Sequence, residues 1–189
     1  MANVGQDSAY AALFWMDQLF NNGTISFYSG TMPSTPETAV NTASNTLIST
    51  WTFGATAFSA PSFSGGAQTA AATFTASSVS PVNSANVSFA RAIPPAWGGS
   101  VGYSRGSGVT NGGNVYQCTV AGTSAASGGP TGTTNSIVDN TVTWQYVGPG
   151  PALIDYTVGT TGTDIIVGTV TVVTGTTISL SLTHKVVAV

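Results

Sequence analysis

Charge is what this chain has least of. Three basic and six acidic residues make up 5% of the 189 positions, against about a quarter in an average globular domain. Three cations cannot lay down the Lys/Arg footprint that a phosphate backbone requires, so nucleic acid is excluded as a partner. Cysteine occurs once, at Cys118, and no intrachain disulfide can form. Histidine also occurs once. His184 stands beside Lys185 near the end of the last strand and reads as a solvated residue. No zinc-ligand spacing surrounds it. No apolar run approaches the roughly 20 residues of a membrane-spanning helix, so no membrane association through such a helix is expected. The first apolar stretch lacks a basic lead and is broken by Asp17, which argues against a secretory signal.

What is present is enough to fold. The chain is 42% hydrophobic and 10% aromatic, so burial can offset the entropy of ordering, and its length suits one domain or two small ones. One helix is expected near the start, capped by Asp7 or Ser8 and stopped at Asn21-Asn22-Gly23. Leu13, Phe14, Trp15, Met16, Leu19 and Phe20 surround that helix, so it must be covered on several sides, by a second layer or a neighbouring subunit. Trp15, Phe14 and Leu19 are the candidate subunit contacts. Strands are predicted over Thr24–Ser29, Leu47–Phe53, Gln68–Thr75, Ala85–Ile93, Ala152–Val158, Asp164–Val172 and Thr177–Thr183. In the last, Ile178, Leu180 and Leu182 alternate with Ser179, Ser181 and Thr183.

Pro94-Pro95 ends one strand, and Gly148-Pro149-Gly150-Pro151 precedes another. Two such breaks around some fifty residues predict an insertion at an exposed loop tip. The expected fold class is therefore all-β. A β-sandwich or jelly-roll-like body (1–95 and 150–189) carries one N-terminal helix and a projecting small β module (96–149).

The body segments Gly23–Pro33, Leu47–Phe53, Gly159–Asp164 and Thr177–Leu182 resemble small virion proteins of tailed bacteriophages. The 96–149 module, through Tyr103, Tyr116, Cys118, Trp144 and Tyr146, resembles aromatic β modules related to chitinase carbohydrate-binding domains. It departs from that pattern at Arg105-Gly106-Ser107-Gly108. The resemblance implies a virion component assembled in the host bacterial cytoplasm. A capsid decoration or cement protein comes first, a homo-oligomer with the major capsid protein or other virion proteins as partners. The alternative is a tail or head-fibre component whose module binds a host surface glycan.

Catalytic chemistry is poorly supplied, and the expectation is a non-enzyme without cofactor or metal. His184 is the only histidine available as the base of a triad. Asp155 and Asp164 are the only plausible carboxylate pair for glycoside chemistry, but Asp155 opens a strand and Asp164 follows a turn. Turn hydrogen bonding is the preferred reading for the pair, and for Asp139. Aromatic faces could stack on sugar rings. Trp97, Tyr103 and Tyr146 are the candidate glycan or partner contacts, Trp97 as the exposed one, whereas Trp144 and Tyr116 are assigned to a core. Cys118 reads as a buried structural thiol.

Overall fold

The computed structural model describes residues 6–64, 67–150, 152–161, 164–166 and 171–187. The chain opens with helix α1 (Gln6–Gln18), followed by β1 (Thr24–Tyr28), β2 (Leu47–Phe58), β3 (Ser62–Ser64) and β4 (Ala67–Phe74). Next come β5 (Ala85–Asn86), β6 (Phe89–Ile93), β7 (Gly102–Tyr103), β8 (Gly108–Asn111), β9 (Asn114–Val120) and β10 (Gly122–Thr123). The remainder comprises β11 (Ile137–Asp139), β12 (Val142–Pro149), β13 (Ile154–Gly159), β14 (Ile165–Ile166), β15 (Thr171–Val172) and β16 (Thr183–Val187). The fold is all-β with one helix, and its body is β-sandwich-like.

The body sheet runs β14-β13-β6-β1-β2-β4-β16, with β3 paired to β4. It curls around a core built from Ile25, Phe27, Ile48, Trp51, Phe53 and Tyr156, among others, and α1 contributes Leu13 to it. Along α1, Ala9, Leu13 and Asp17 are buried at four-residue spacing, while Asp7, Tyr10, Ala11 and Trp15 are exposed. The helix is therefore one-sided, unlike the all-round apolar helix expected. The reason is its length. It ends at Gln18, so Leu19 and Phe20 belong to the following turn and drop into the interior.

Both helix termini differ from expectation. Asp7 and Ser8 already lie inside the first turn, and a cap before Gln6 would fall outside the described residues. At the other end Asn22, not Gly23, takes the left-handed conformation, at φ 60°. Gly23 is required for space instead, since a Cβ there would sit 2.5 Å from the Ile93 carbonyl oxygen.

The helix end repairs a defect in the sheet. Strand β2 pairs with β4 at Phe53–Phe74 and again at Phe58–Ala72, with an irregular stretch between. Backbone groups left there need other partners. The Asn22 amide donates to the Gly54 carbonyl at 3.0 Å, and the Ala57 amide donates to Asn21 Oδ1 at 2.8 Å.

Strand β1 does not alternate between core and solvent: Ile25, Ser26 and Phe27 are all buried. The 29–46 loop is tied to itself by Asn45 Nδ2, which donates to the Ser29 and Thr31 carbonyls, and to the sheet by Arg91, opposite Ser26, which donates to the Thr38 carbonyl. The segment Thr177–Thr183 alternates as expected but builds no ladder. Ile178 forms an isolated bridge to Val79, the Leu182 carbonyl accepts from Ala72 at 2.8 Å, and regular pairing starts only at Thr183. Of the strand expected over Asp164–Val172, Ile165–Ile166 and Thr171–Val172 are strands, and 167–170 lie outside the described residues.

Strands β6 and β13, on either side of 96–149, are antiparallel neighbours, Ala92 facing Ile154. The intervening segment carries its own sheet, β11-β12-β9-β8, and a two-stranded β10-β7 pair. Its cluster of Val109, Tyr116, Cys118, Val142 and Trp144 is separate from the body core. The two ends of the segment lie close together. Thr110 donates to the Pro95 carbonyl, and Gly150 donates to the Gly113 carbonyl. The β8–β9 hairpin closes through Gly112 and Gly113, both at positive φ, as a two-residue turn between twisted strands demands.

The segment does not simply project. A Cβ on Gly108 would lie 2.4 Å from the Leu19 carbonyl oxygen, and Arg105 sits 5.5 Å above the Trp15 ring. It therefore leans back onto the end of α1, and this contact helps bury Leu19.

Candidate functional site

Within 96–149 the aromatic residues converge on one carboxylate. Asp139 ends β11 and is buried; the next residue, Asn140, is left-handed at φ 57°. The Asp139 carboxylate accepts the indole N–H of Trp97 at 2.9 Å, that of Trp144 at 3.1 Å and the Ala125 amide at 2.9 Å. Asp139 is thus a buried hub, where the sequence suggested only a turn residue.

Trp97 is half-buried, not the freely exposed ring anticipated. Gly129 packs so closely that a Cβ there would stand 2.9 Å from the indole. Tyr103 lies edge-on to Trp144 with ring centroids 4.8 Å apart. Its hydroxyl accepts from the Gly98 amide at 2.8 Å. Tyr146 faces Tyr116 across β9 and β12 and meets it edge-on. All three candidate rings pack on the module's own cluster. Cys118 is buried as expected, and burial pushes its thiol up from the ordinary value.

The three candidate subunit contacts, two on the helix and one in the turn after it, separate. Leu19 is 6% exposed, too enclosed to contact a subunit. Phe14 is half-buried and Trp15 is 40% exposed. Tyr10, not anticipated, is 39% exposed and stacks on Phe14 with centroids 5.9 Å apart. Phe14 then meets Trp15 edge-on at 5.7 Å. The three rings form a continuous ridge. Beside it, a groove of about 440 Å³ is lined by Phe14, Asp17, Phe58, Ser104 and Arg105, among others.

The second polar centre was not legible at all. His184 is buried, contrary to its reading as a solvated terminal residue. Its Nδ1 lies 2.5 Å from Asp17 Oδ1, its Nε2 contacts the Tyr156 hydroxyl, and Phe58 stacks on the imidazole at 4.3 Å. Solvation fails because β16 pairs with β4, which carries His184 inward beneath α1. Burial raises the Asp17 carboxyl above its ordinary value, against the opposing hydrogen bond and charge of His184. Burial and the nearby Asp17 and Asp164 charges drive the Tyr156 phenol further from ionisation. An acid–imidazole–hydroxyl series can activate a nucleophile only if the hydroxyl readily gives up its proton. Here every influence on the phenol opposes that, and the series instead ties α1, β13 and β16 together.

Asp155 and Asp164 do not act as a pair. Both Asp155 oxygens are held by the Arg91 guanidinium at 2.7 Å in a buried fork, and Arg91 also donates to the Thr38 carbonyl. Asp155 does open a strand, β13, and there it stands opposite a buried cation. Asp164 does bond locally, accepting from the Thr157 amide at 2.9 Å and from its hydroxyl at 2.8 Å.

Among the described side chains, the charges left exposed are Asp7, Glu37, Asp164 and Arg105. No group of three or more metal-ligating side chains occurs among the described residues. The fold and its polar centres thus define an all-β protein with one helix, in which Asp17, Arg91, Asp139 and Asp155 serve as internal ties. No family model, curated protein or solved structure matches this chain.

Proposed function

We propose that this chain is a structural protein of a tailed-bacteriophage particle, a decoration or cement protein that stabilises the head through non-covalent contacts. The observation that carries the reading is the distribution of its few ionisable groups. Asp17, Asp139, Arg91 and His184 are buried, and the Asp155 side chain is closed off by Arg91. Among the described residues only Asp7, Glu37, Asp164 and Arg105 leave a charge on the outer surface, and the Tyr10–Phe14–Trp15 ridge lies exposed there. Such a surface attaches by shape and apolar burial, at roughly 25 cal/mol per Å² before association costs. Many weak contacts repeated over a symmetric shell add up to large particle stability. The virion setting rests on the resemblance of the body segments, and the mode of attachment rests on this surface.

Quantifying copies of the chain on purified particles tests the proposal. Copies in stoichiometric proportion to the major capsid protein are expected. A few copies confined to the tail would overturn it in favour of an adsorption component. Retention of the purified protein on a glycan array, abolished by Trp97→Ala or Tyr103→Ala, would point the same way.

A further inference from the structure

The outer face of α1 carries exposed aromatic and small apolar residues. Asp7, Tyr10, Ala11, Phe14 and Trp15 fall on one side of the helix at three- and four-residue spacing, opposite the buried Ala9, Leu13 and Asp17. The polarity of this face is ordered. An exposed carboxylate, Asp7, stands at the N-terminal end. The Arg105 guanidinium, brought in by the 96–149 segment, stands over Trp15 at the other end. Between them lie the aromatic ridge and, near the midpoint, the small exposed residues Ala11 and Ala12.

We propose that two copies associate through α1 in an antiparallel pair, with a two-fold axis passing near Ala11. Eight residues separate Asp7 from Trp15, about 12 Å along the helix. Turning one helix over about Ala11 brings each Asp7 opposite the other copy's Trp15 and Arg105, so the ion pair forms twice. A parallel pairing would set Asp7 against Asp7 and Arg105 against Arg105. An isologous interface must be self-complementary in this sense. Alanines at the crossing point let the backbones approach, and Tyr10 and Phe14 flank them. Already stacked on one another, these rings lose little freedom on docking. One 13-residue helix offers less than the roughly 1,600 Å² of a standard stable interface. The pair is accordingly weak in free solution and is strengthened when copies are held close together on a surface.

The test is made on the full chain in solution without particles, so its result is independent of the virion proposal. Sedimentation equilibrium over a concentration series is expected to show a reversible monomer–dimer equilibrium. Asp7→Arg alone and Arg105→Asp alone should each weaken it about tenfold, since each places like charges opposite one another twice. The Asp7→Arg/Arg105→Asp double variant should recover it, because the swapped charges again meet their opposites. Ala11→Cys should form an intermolecular disulfide under mild oxidation, while Cys118, being buried, does not. A protein that stays monomeric throughout, or a dimer indifferent to the single swaps, would overturn the proposal. So would a double variant no better than the single ones. Both charged positions are exposed, and an unchanged thermal transition in each variant separates loss of pairing from loss of fold.

Discussion

Asp139 satisfies two indoles and a backbone amide at once, so its removal strands three donors inside the small module. Asp139→Ala is expected to destabilise the module by about 3 kcal/mol, given about 1 to 3 kcal/mol per buried unpaired group. Thermal unfolding followed by tryptophan fluorescence reads this, because two of the chain's four tryptophans, Trp97 and Trp144, bond to this carboxylate. The Arg91–Asp155 fork behaves differently, because two charges are desolvated together. Arg91→Ala should cost about 3 to 5 kcal/mol by leaving a buried carboxylate unpaired, whereas Arg91→Met with Asp155→Leu should recover most of it. Urea unfolding of the single and double variants distinguishes the two cases. Asp17 gives a pH signature. Its carboxyl is raised by burial from an ordinary value of 3.8, so the folded state holds its proton more tightly than the unfolded chain does. Its contribution is therefore greatest below the unfolded value and is lost as pH rises through the folded one. The stability of the native chain relative to Asp17→Asn should fall with rising pH across that acid window and then level off. A difference that instead grows with pH would contradict the burial argument.

At the scale of elements, the strands on either side of 96–149 are direct neighbours in the sheet, and the segment between them has its own apolar cluster. Replacing 96–149 by a short Gly/Ser linker should therefore leave a body that unfolds cooperatively. Its Tm should be lower, because Leu19 and Trp15 lose the cover of Gly108 and Arg105. Loss of a cooperative transition by calorimetry would show that the two clusters depend on each other. The strand pattern also shows how far periodicity reaches. Ile178, Leu180 and Leu182 face inward as their alternation requires, yet a ladder needs a partner strand in register. That partner arrives only beyond Thr183, where β16 meets β4.

At the scale of the whole molecule, the described residues meet their surroundings with four charged side chains, Asp7, Glu37, Asp164 and Arg105. Ionic screening acts only on charges, so attachment to particles should change little between low and high salt. Measuring particle-bound protein after equilibration at increasing ionic strength checks this, and release by moderate salt would count against apolar attachment. The α1 pair proposed above should be moderately salt-sensitive in the same buffers, since two ion pairs contribute to it. The two contrasting responses come from one molecule because Asp7 and Arg105 occupy a single face.

The sequence by itself determined the all-β class and the single helix. These follow from local periodicity and from proline and glycine, which act within a few residues of themselves. It also determined that Trp144, Tyr116 and Cys118 are buried, since a module of about fifty residues needs its largest apolar groups for a core. Tertiary structure alone decided the polar centres. Asp17 and His184 are 167 residues apart, and Arg91 and Asp155 are 64 apart; no local pattern links them. Their partners are set by the order of strands in the sheet. The same holds for Leu19, against whose backbone the distant Gly108 packs, and for Trp97, bonded to the distant Asp139. In a chain this poor in charge, each ionisable residue is unusually informative. Whether it faces water or a partner is decided only when strands far apart in sequence become neighbours.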